Sequence, residues 1–332
     1  MLDRVKFFLC TLLLVALVAC EQGSGGPRPT PTPTGTKAPP VFNFVLANPA
    51  GMLALDATGQ TVGHVLELPR DSAPSSPSLF PGRKSIVFSI TLVPTGSSGF
   101  GSDIWAVDLD GSNLHKLVEH ERENVFYAAP LVDPSGKAVY FHRRAAIIQN
   151  GTYIGNEDAI QKLDLTTNQR TTIVDKAADP TLAPDGKTLV FVRIVDGAPQ
   201  GLWRVGADGS DPRPFFSVQD TWWYMQAPRY APDGAMLTFS GAGHNARTLS
   251  GDQKLAHLGI PSELFVAPPD GRSVKSIGQT VDDVVPAWSP DGKQIAFVAG
   301  GALQLLTVAD GTVQQLTRGD NFFFGDLLWV KR

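Results

Sequence analysis

The side chains in this chain that could do chemistry are acids and aromatic rings, gathered in a few short segments. Those segments hold Asp179, Asp220, Asp282, Asp283 and Asp326, and the ring clusters Phe126-Tyr127, Trp222-Trp223-Tyr224 and Phe322-Phe323-Phe324. Counted over all of them, eleven acids face four bases. Carboxylates at the mouth of a channel focus a negative field, and aromatic rings offer adhesive area at low entropy cost. The combination suits reception of a protein segment, with a cationic group or divalent ion as a further guest. Solvated carboxylates and rings that fill gaps between sheets would leave the same residues.

Catalytic constellations are sparse. No Gly-x-Ser-x-Gly elbow precedes a helix, so a hydrolase nucleophile is missing. The six histidines show no zinc-type spacing. His244 and His257 share one insertion and could meet His142 from a neighbouring loop, which keeps a metal-dependent polysaccharide lyase or hydrolase as the alternative. Asp108-Leu109-Asp110-Gly111 lacks the rest of an EF-hand loop and reads as a turn. No catalytic residue, metal ligand or cofactor is therefore assigned.

The elements that must position these residues repeat. Pro184-Asp185-Gly186, Pro232-Asp233-Gly234 and Pro290-Asp291-Gly292 each open an apolar run ending in phenylalanine, with Pro134-Ser135-Gly136 and Pro81-Gly82 as degraded copies. The period is roughly 50 residues, in the range of solenoids and propellers. Aligned, the copies give a first column of Leu79, Val132, Leu182, Tyr230 and Trp288, each two residues after a proline. A second column holds Phe88, Phe141, Phe191, Phe239 and Phe297, with an aliphatic residue two positions earlier, a strand period. A third holds Trp105, Trp203, Phe265 and Leu305, five residues before an Asp-Gly turn; blade three departs with Gln161. Proline presets the first turn corner, aspartate bonds back to the local backbone and glycine takes the left-handed corner. Each unit is thus a four-stranded antiparallel blade, A to D, with tight A–B and C–D turns.

The chain ends complete the pattern. Phe42 and Phe44 match the strand B pair and Leu53 the third column, so the first unit lacks strand A. Asp326 to Val330 supply that strand, with Trp329 in the place of Trp288. The expected fold is an all-β, six-bladed propeller over residues 41–332, closed by the C-terminal strand. Val285-Pro286-Ala287-Trp288-Ser289-Pro290-Asp291-Gly292-Lys293, followed by Ile295-Ala296-Phe297, resembles the WD40-like PD40 repeat of TolB-type propellers. That family includes a periplasmic protein that binds a peptidoglycan-associated lipoprotein, peptidase propellers and some oligogalacturonide lyases. This chain is expected to depart from the first, whose extra N-terminal α/β domain has no counterpart in the reading of residues 1–40.

The first forty residues carry no blade. Met1 to Ala19 has a charged start and an apolar run from Phe7 to Val18, a signal peptide pattern, and Leu17-Val18-Ala19-Cys20 resembles the lipobox of bacterial lipoproteins. Cys20 is the expected lipidation site; residues 20–40, rich in Pro, Thr and Gly, form a tether reaching roughly 60 Å at about 3.1 Å per residue. Removing one acid (Asp3) and two bases (Arg4, Lys6) from a net charge of −4 leaves about −5, which argues against a nucleic-acid partner. The expected partner is an envelope protein or peptide, reached from a lipid-anchored, extracytoplasmic position. Long B–C and D–A segments, including Ile90 to Asp103, His142 to Asp158 and Gly241 to Ser262, accumulate on the face opposite the tight turns. That face is the expected binding face. Arg83, Lys84, Lys137, Lys187 and Lys293 lie beside the turns and would face the lipid.

Overall fold

The protein is described here by a computed structural model covering residues 41–49, 51–68, 72–92, 99–216, 224–242, 262–280, 284–318 and 325–330. Among these residues there is no helix. Blade 1 contains β1 (Phe44–Asn48), β2 (Gly51–Leu55) and β3 (Thr61–Leu66). Blade 2 is β4 (Ser72–Leu79), β5 (Ser85–Leu92), β6 (Gly101–Asp108) and β7 (His115–Val118). Blade 3 is β8 (Val125–Val132), β9 (Ala138–Gln149), β10 (Thr152–Asp164) and β11 (Arg170–Asp175). Blade 4 is β12 (Ala177–Leu182), β13 (Thr188–Val195), β14 (Ala198–Gly206) and β15 (Arg213–Pro214). Blade 5 is β16 (Tyr224–Tyr230), β17 (Leu237–Ala242), β18 (Ser262–Ala267) and β19 (Lys275–Thr280). Blade 6 is β20 (Ala287–Trp288), β21 (Gln294–Ala299), β22 (Ala302–Thr307) and β23 (Val313–Gln315). The last strand, β24 (Asp326–Trp329), lies antiparallel beside β1 and gives blade 1 its inner strand.

The closure is specific. Trp329 pairs with Phe44 across β24 and β1, and the two rings meet edge to face at 4.8 Å. Trp288 pairs with Ile295, Tyr230 with Leu237 and Leu182 with Leu189, so Trp329 holds the first-column position. Phe44 therefore occupies the place of Ile295, and Leu46, which pairs with Leu53, occupies the place of the phenylalanine. The expected assignment of Phe42 and Phe44 to that pair is thus two residues out of register. Arg83 does not stand free at the turn face: its guanidinium donates to the carbonyls of Trp329 at 2.9 Å and Val330 at 3.0 Å, tying blade 2 to the closing strand.

Packing forms a ring of apolar seams. Phe88, Ile86 and Trp105 of blade 2 meet Val45, Ala47 and Val65 of blade 1. Tyr127 and Phe141 of blade 3 pack against Val87 and Ile104 of blade 2. Phe191 and Val205 of blade 4 meet Tyr140 and Ile160, and Phe239 and Phe265 of blade 5 meet Val190 and Phe215. Trp288 and Phe297 of blade 6 meet Leu264 and Val266. Ala287, Ala296 and Leu303 complete the ring against Phe44, Leu46 and Leu327. Blades 2 and 3 also share a short parallel contact, Gly101 with Val125 and Ser102 with Phe126, that joins them into one sheet.

The turns follow their chemistry. Asp185, Asp233 and Asp291 each accept from the backbone N–H two residues on, at 2.9, 2.9 and 3.1 Å. Asp110 accepts from the Ser112 N–H in the same way, while Asp108 takes hydrogen bonds from the Ser85 hydroxyl and the Asn113 side-chain amide. At Gly271, with φ +68, an added Cβ would lie 2.0 Å from the Phe215 carbonyl oxygen, so blade 5 can approach blade 4 only with glycine there.

In blade 6 the turn is one residue longer, Gly311 N–H reaching Thr307 where Gly111 reaches Asp108. Leu305 consequently pairs with Ala296, and Phe297 faces Gln304, displacing the expected column by one residue. The His142 to Asp158 insertion is not an irregular loop either. It is the extended β9–β10 hairpin, turned at Asn150 (φ 51) and Gly151 (φ 75).

Replacing Trp329 with alanine removes a half-buried ring from the closing strand and is expected to cost about 3 kcal/mol, the low end of large-to-small aromatic changes. A urea denaturation midpoint matching that of the native protein would count against closure as the main lock.

Candidate functional site

The inner strands share a distortion that builds the site. Pairing slips between Ser75 and Ser78, Ala128 and Leu131, Ala178 and Thr181, and Gln226 and Arg229. The residue before the proline in each, Ser76, Ala129, Asp179 and Ala227, sits at φ 51, 46, 46 and 49. Such left-handed positions cost non-glycine residues on the order of 1–3 kcal/mol each and persist only where the surroundings hold them. The following proline has no N–H to lose from the ladder, so it tolerates the bulge. Ser76, Ala129 and Asp179 of the bulged column, with Val285, Asp326, Ala128, His142 and Arg229, line an axial cavity of about 170 Å³.

Two column aspartates hold the bulges of the next blade. Asp326 accepts from the Ser76 N–H at 2.7 Å and from its hydroxyl at 3.4 Å. Asp179 accepts from the Ala227 N–H at 2.7 Å and from Arg229 at 3.0 Å. Arg229 in turn donates to the Pro228 carbonyl at 2.7 Å, and its own carbonyl receives the Trp288 indole N–H at 3.1 Å. Asp326 is half-buried at the cavity wall, and desolvation pushes its carboxyl above the ordinary value of 3.8, against the Ser76 hydrogen bond and nearby Arg229.

On the opposite wall, His142 is only 7% exposed and its Nε2 lies 2.7 Å from Asp158, which also receives Arg144 at 2.8 Å. Burial lowers the His142 pKa despite Asp158. Burial also opposes the charge on Asp158, but hydrogen bonds from His142 and Arg144 outweigh it and keep that carboxyl low. The pair is therefore neutral imidazole against carboxylate, with the proton on Nε2 and the lone pair on Nδ1.

The other expected site residues fall in several places. Tyr127 is a core residue, fully buried against Phe141, and presents no ring to a ligand. Its hydroxyl donates to Glu121 and receives Arg170 at 2.6 Å, and burial raises its pKa strongly. Phe126 is half-buried against Phe100 at 5.2 Å, and Tyr224 donates to Gln226 at 2.7 Å. Asp220, Trp222, Trp223, Asp282, Asp283, Phe322, Phe323 and Phe324 lie outside the described residues, as do Cys20, His244 and His257.

The rim is less acidic than its composition implies. Glu121 pairs with Arg143 and Arg170, Glu119 with Lys116, and Asp179 with Arg229. Among the described residues, no group of three or more His, Cys, Asp or Glu side chains is placed to hold a metal ion. His142, considered above with two loop histidines, spends Nε2 on Asp158 instead.

Sequence reasoning missed Arg229, Asp158 and Arg144, and treated Asp179 and Asp326 as rim acids rather than cavity wall. The readable signal was the column one residue before the strand A prolines. A second cleft, of about 480 Å³, lies between blades 3 and 4 at Gln161, where the third-column aromatic is missing.

A closed ring of four-stranded blades around an axial cavity defines a β-propeller. No family model matches the sequence. No curated protein matches it either. Among solved structures, TolB from Acinetobacter baumannii is similar with a TM-score of 0.62 at 19% identity, over 87% of this chain and 66% of that chain. The chain therefore spans just under two thirds of that protein. A chain of the nidogen/laminin complex is similar with a TM-score of 0.61 at 11% identity, over 87% of this chain and 98% of that one. A putative TolB from Agrobacterium tumefaciens gives 0.54 at 17% identity, over 84% and 90%. At these identities the likeness establishes a TolB-like propeller fold and nothing finer.

The raised pKa of Asp326 has a consequence for stability. A carboxyl whose folded pKa exceeds its unfolded value of 3.8 favours folding below that value and loses the contribution as pH rises through the folded pKa. Asp326→Asn keeps an acceptor for Ser76 without the desolvated charge. It is expected to leave stability unchanged near pH 3 and raise it at pH 7, read from urea midpoints at both pH values; lower stability at pH 7 would contradict the assignment.

Proposed function

We propose that the protein is a lipid-anchored envelope lipoprotein whose propeller acts as a non-catalytic protein-binding or scaffold module. The observation that carries the reading is the axial cavity. Strained bulges, a desolvated carboxyl and a buried imidazole are kept where hydrophobic filling would be more stable, a pattern of sites held for function. The cavity opens among inner strands joined by the long D–A segments, which carry Trp222-Trp223-Tyr224 and Phe322-Phe323-Phe324 in sequence. Tryptophans in such positions are typical binding anchors.

Support for the class comes from the fold, shared with two TolB proteins and with a chain of the nidogen/laminin complex. Support for the envelope location comes from the Leu17-Val18-Ala19-Cys20 lipobox pattern and the Thr-Pro tether. In this reading Cys20 carries the lipid, residues 20–40 hold the ring off the membrane and the loop face meets the partner.

Cross-linking the lipidated protein in its native membrane and purifying it should recover a defined stoichiometric partner. Trp222→Ala with Trp223→Ala is expected to reduce that capture about 30-fold, the scale of one anchor worth about 2 kcal/mol. Unchanged capture would remove the loop face from the proposal. In a parallel experiment, Cys20→Ala should abolish labelling by a palmitate analogue and move the protein from the membrane to the soluble fraction; retained labelling would exclude Cys20 as the anchor.

A further inference from the structure

We infer that the axial cavity is a binding site for a primary alkylammonium group, the end of a lysine side chain or a free N-terminal amine. The inference deepens the protein-binding reading above and rests on it only for the source of the amine.

The acceptors in the cavity outnumber the donors. Asp326 commits one oxygen to Ser76, and its second oxygen takes no hydrogen bond from a described residue. His142, nine-tenths buried, spends Nε2 on Asp158, leaving Nδ1 with no partner among the described residues. Asp179 shares its charge with Arg229, the one cation among the described residues of the wall. The remaining lining, Ala128, Ala129 and Val285, is apolar. A guest that completes this set must donate several hydrogen bonds, bring positive charge and carry a hydrocarbon stem.

Geometry narrows the choice. A bare divalent ion needs several converging ligands, and no such group exists among the described residues. A guanidinium prefers a carboxylate with both oxygens open, and each aspartate here has already committed one or both. An ammonium is a compact point charge with three rotatable donors, so it can be held by as few as two acceptors, donating to one carboxylate oxygen and to the imidazole lone pair. At about 170 Å³ the cavity exceeds the roughly 150 Å³ that accommodates benzene in an engineered core, which is enough for a side-chain end.

The test uses detergent-solubilised full-length protein labelled with ¹³C-histidine, in phosphate buffer. Nα-acetyl-lysine methylamide, glycinamide and the uncharged, similarly sized Nα-acetyl-norleucine methylamide are titrated while the His142 ring signals are followed. Saturable shifts with the lysine compound assign a side-chain ammonium, and saturable shifts with glycinamide assign an N-terminal amine. Asp326→Asn, which retains its acceptor for Ser76, should weaken either by about tenfold or more, as expected for a lost charge-assisted hydrogen bond. No saturation by either amine, equal saturation by the norleucine compound, or undiminished binding in Asp326→Asn would each overturn the inference. Amine binding without a captured partner would leave the site standing and discard the scaffold reading; a captured partner without amine binding would do the reverse.

Discussion

The edge of a β-sheet carries unpaired N–H and C=O groups, and an array of blades must either leave two such edges exposed or bring them together. Here β24 and β1 meet, four residue pairs in register from Phe44–Trp329 to Ala47–Asp326. Everything else follows from that pairing. It makes the blade 6 to blade 1 seam a seam like the others, built on Phe44, Leu46 and Leu327, and so closes the ring around an axis. It also places Asp326, the first residue of the closing strand, on that axis beside Ser76. Fold closure and cavity chemistry thus share one strand.

The inner strands are where regularity is given up. The bulges bring Ser76, Ala129 and Asp179 to the cavity wall, while Ala227 stays buried. The backbone N–H groups released by two of these bulges are taken by aspartates of the preceding blade, so the distortion is satisfied electrostatically rather than left as a defect. The arrangement couples neighbours: Asp179 positions Arg229, whose backbone carbonyl receives the indole of Trp288. The cavity wall is therefore set by contacts between blades as much as within them.

Much of the fold was legible because packing columns and turns repeat. Tyr230 with Leu237 and Phe239 with Phe265 lie where the alignment of copies puts them. The misassigned Phe42 and Phe44 show the limit of that signal: a shift of two residues keeps every side chain on its face, so alternation cannot detect it. The Leu305 displacement came from a turn one residue longer than its siblings. Asn150-Gly151 carried the signal for the long β9–β10 hairpin, but its neighbours resembled an insertion. The site was harder. Whether Glu121 is a free rim charge or the partner of Arg143 and Arg170 depends on residues far apart in sequence, as does the pairing of His142 with Asp158. Tyr127 follows the strand alternation with Val125, and that periodicity was the clue that it faces inward.

The position of β24 also fixes an order of events. It follows the other described strands in the chain, so a nascent molecule passes through an arc with the flank of β1 uncovered until β24 emerges. At high concentration the closing strand of one molecule can zip into the open blade of another, giving interlocked dimers or chains from identical contacts. Rapid capture of the molecule's own closing strand competes with that exchange, and dilution during refolding should favour it.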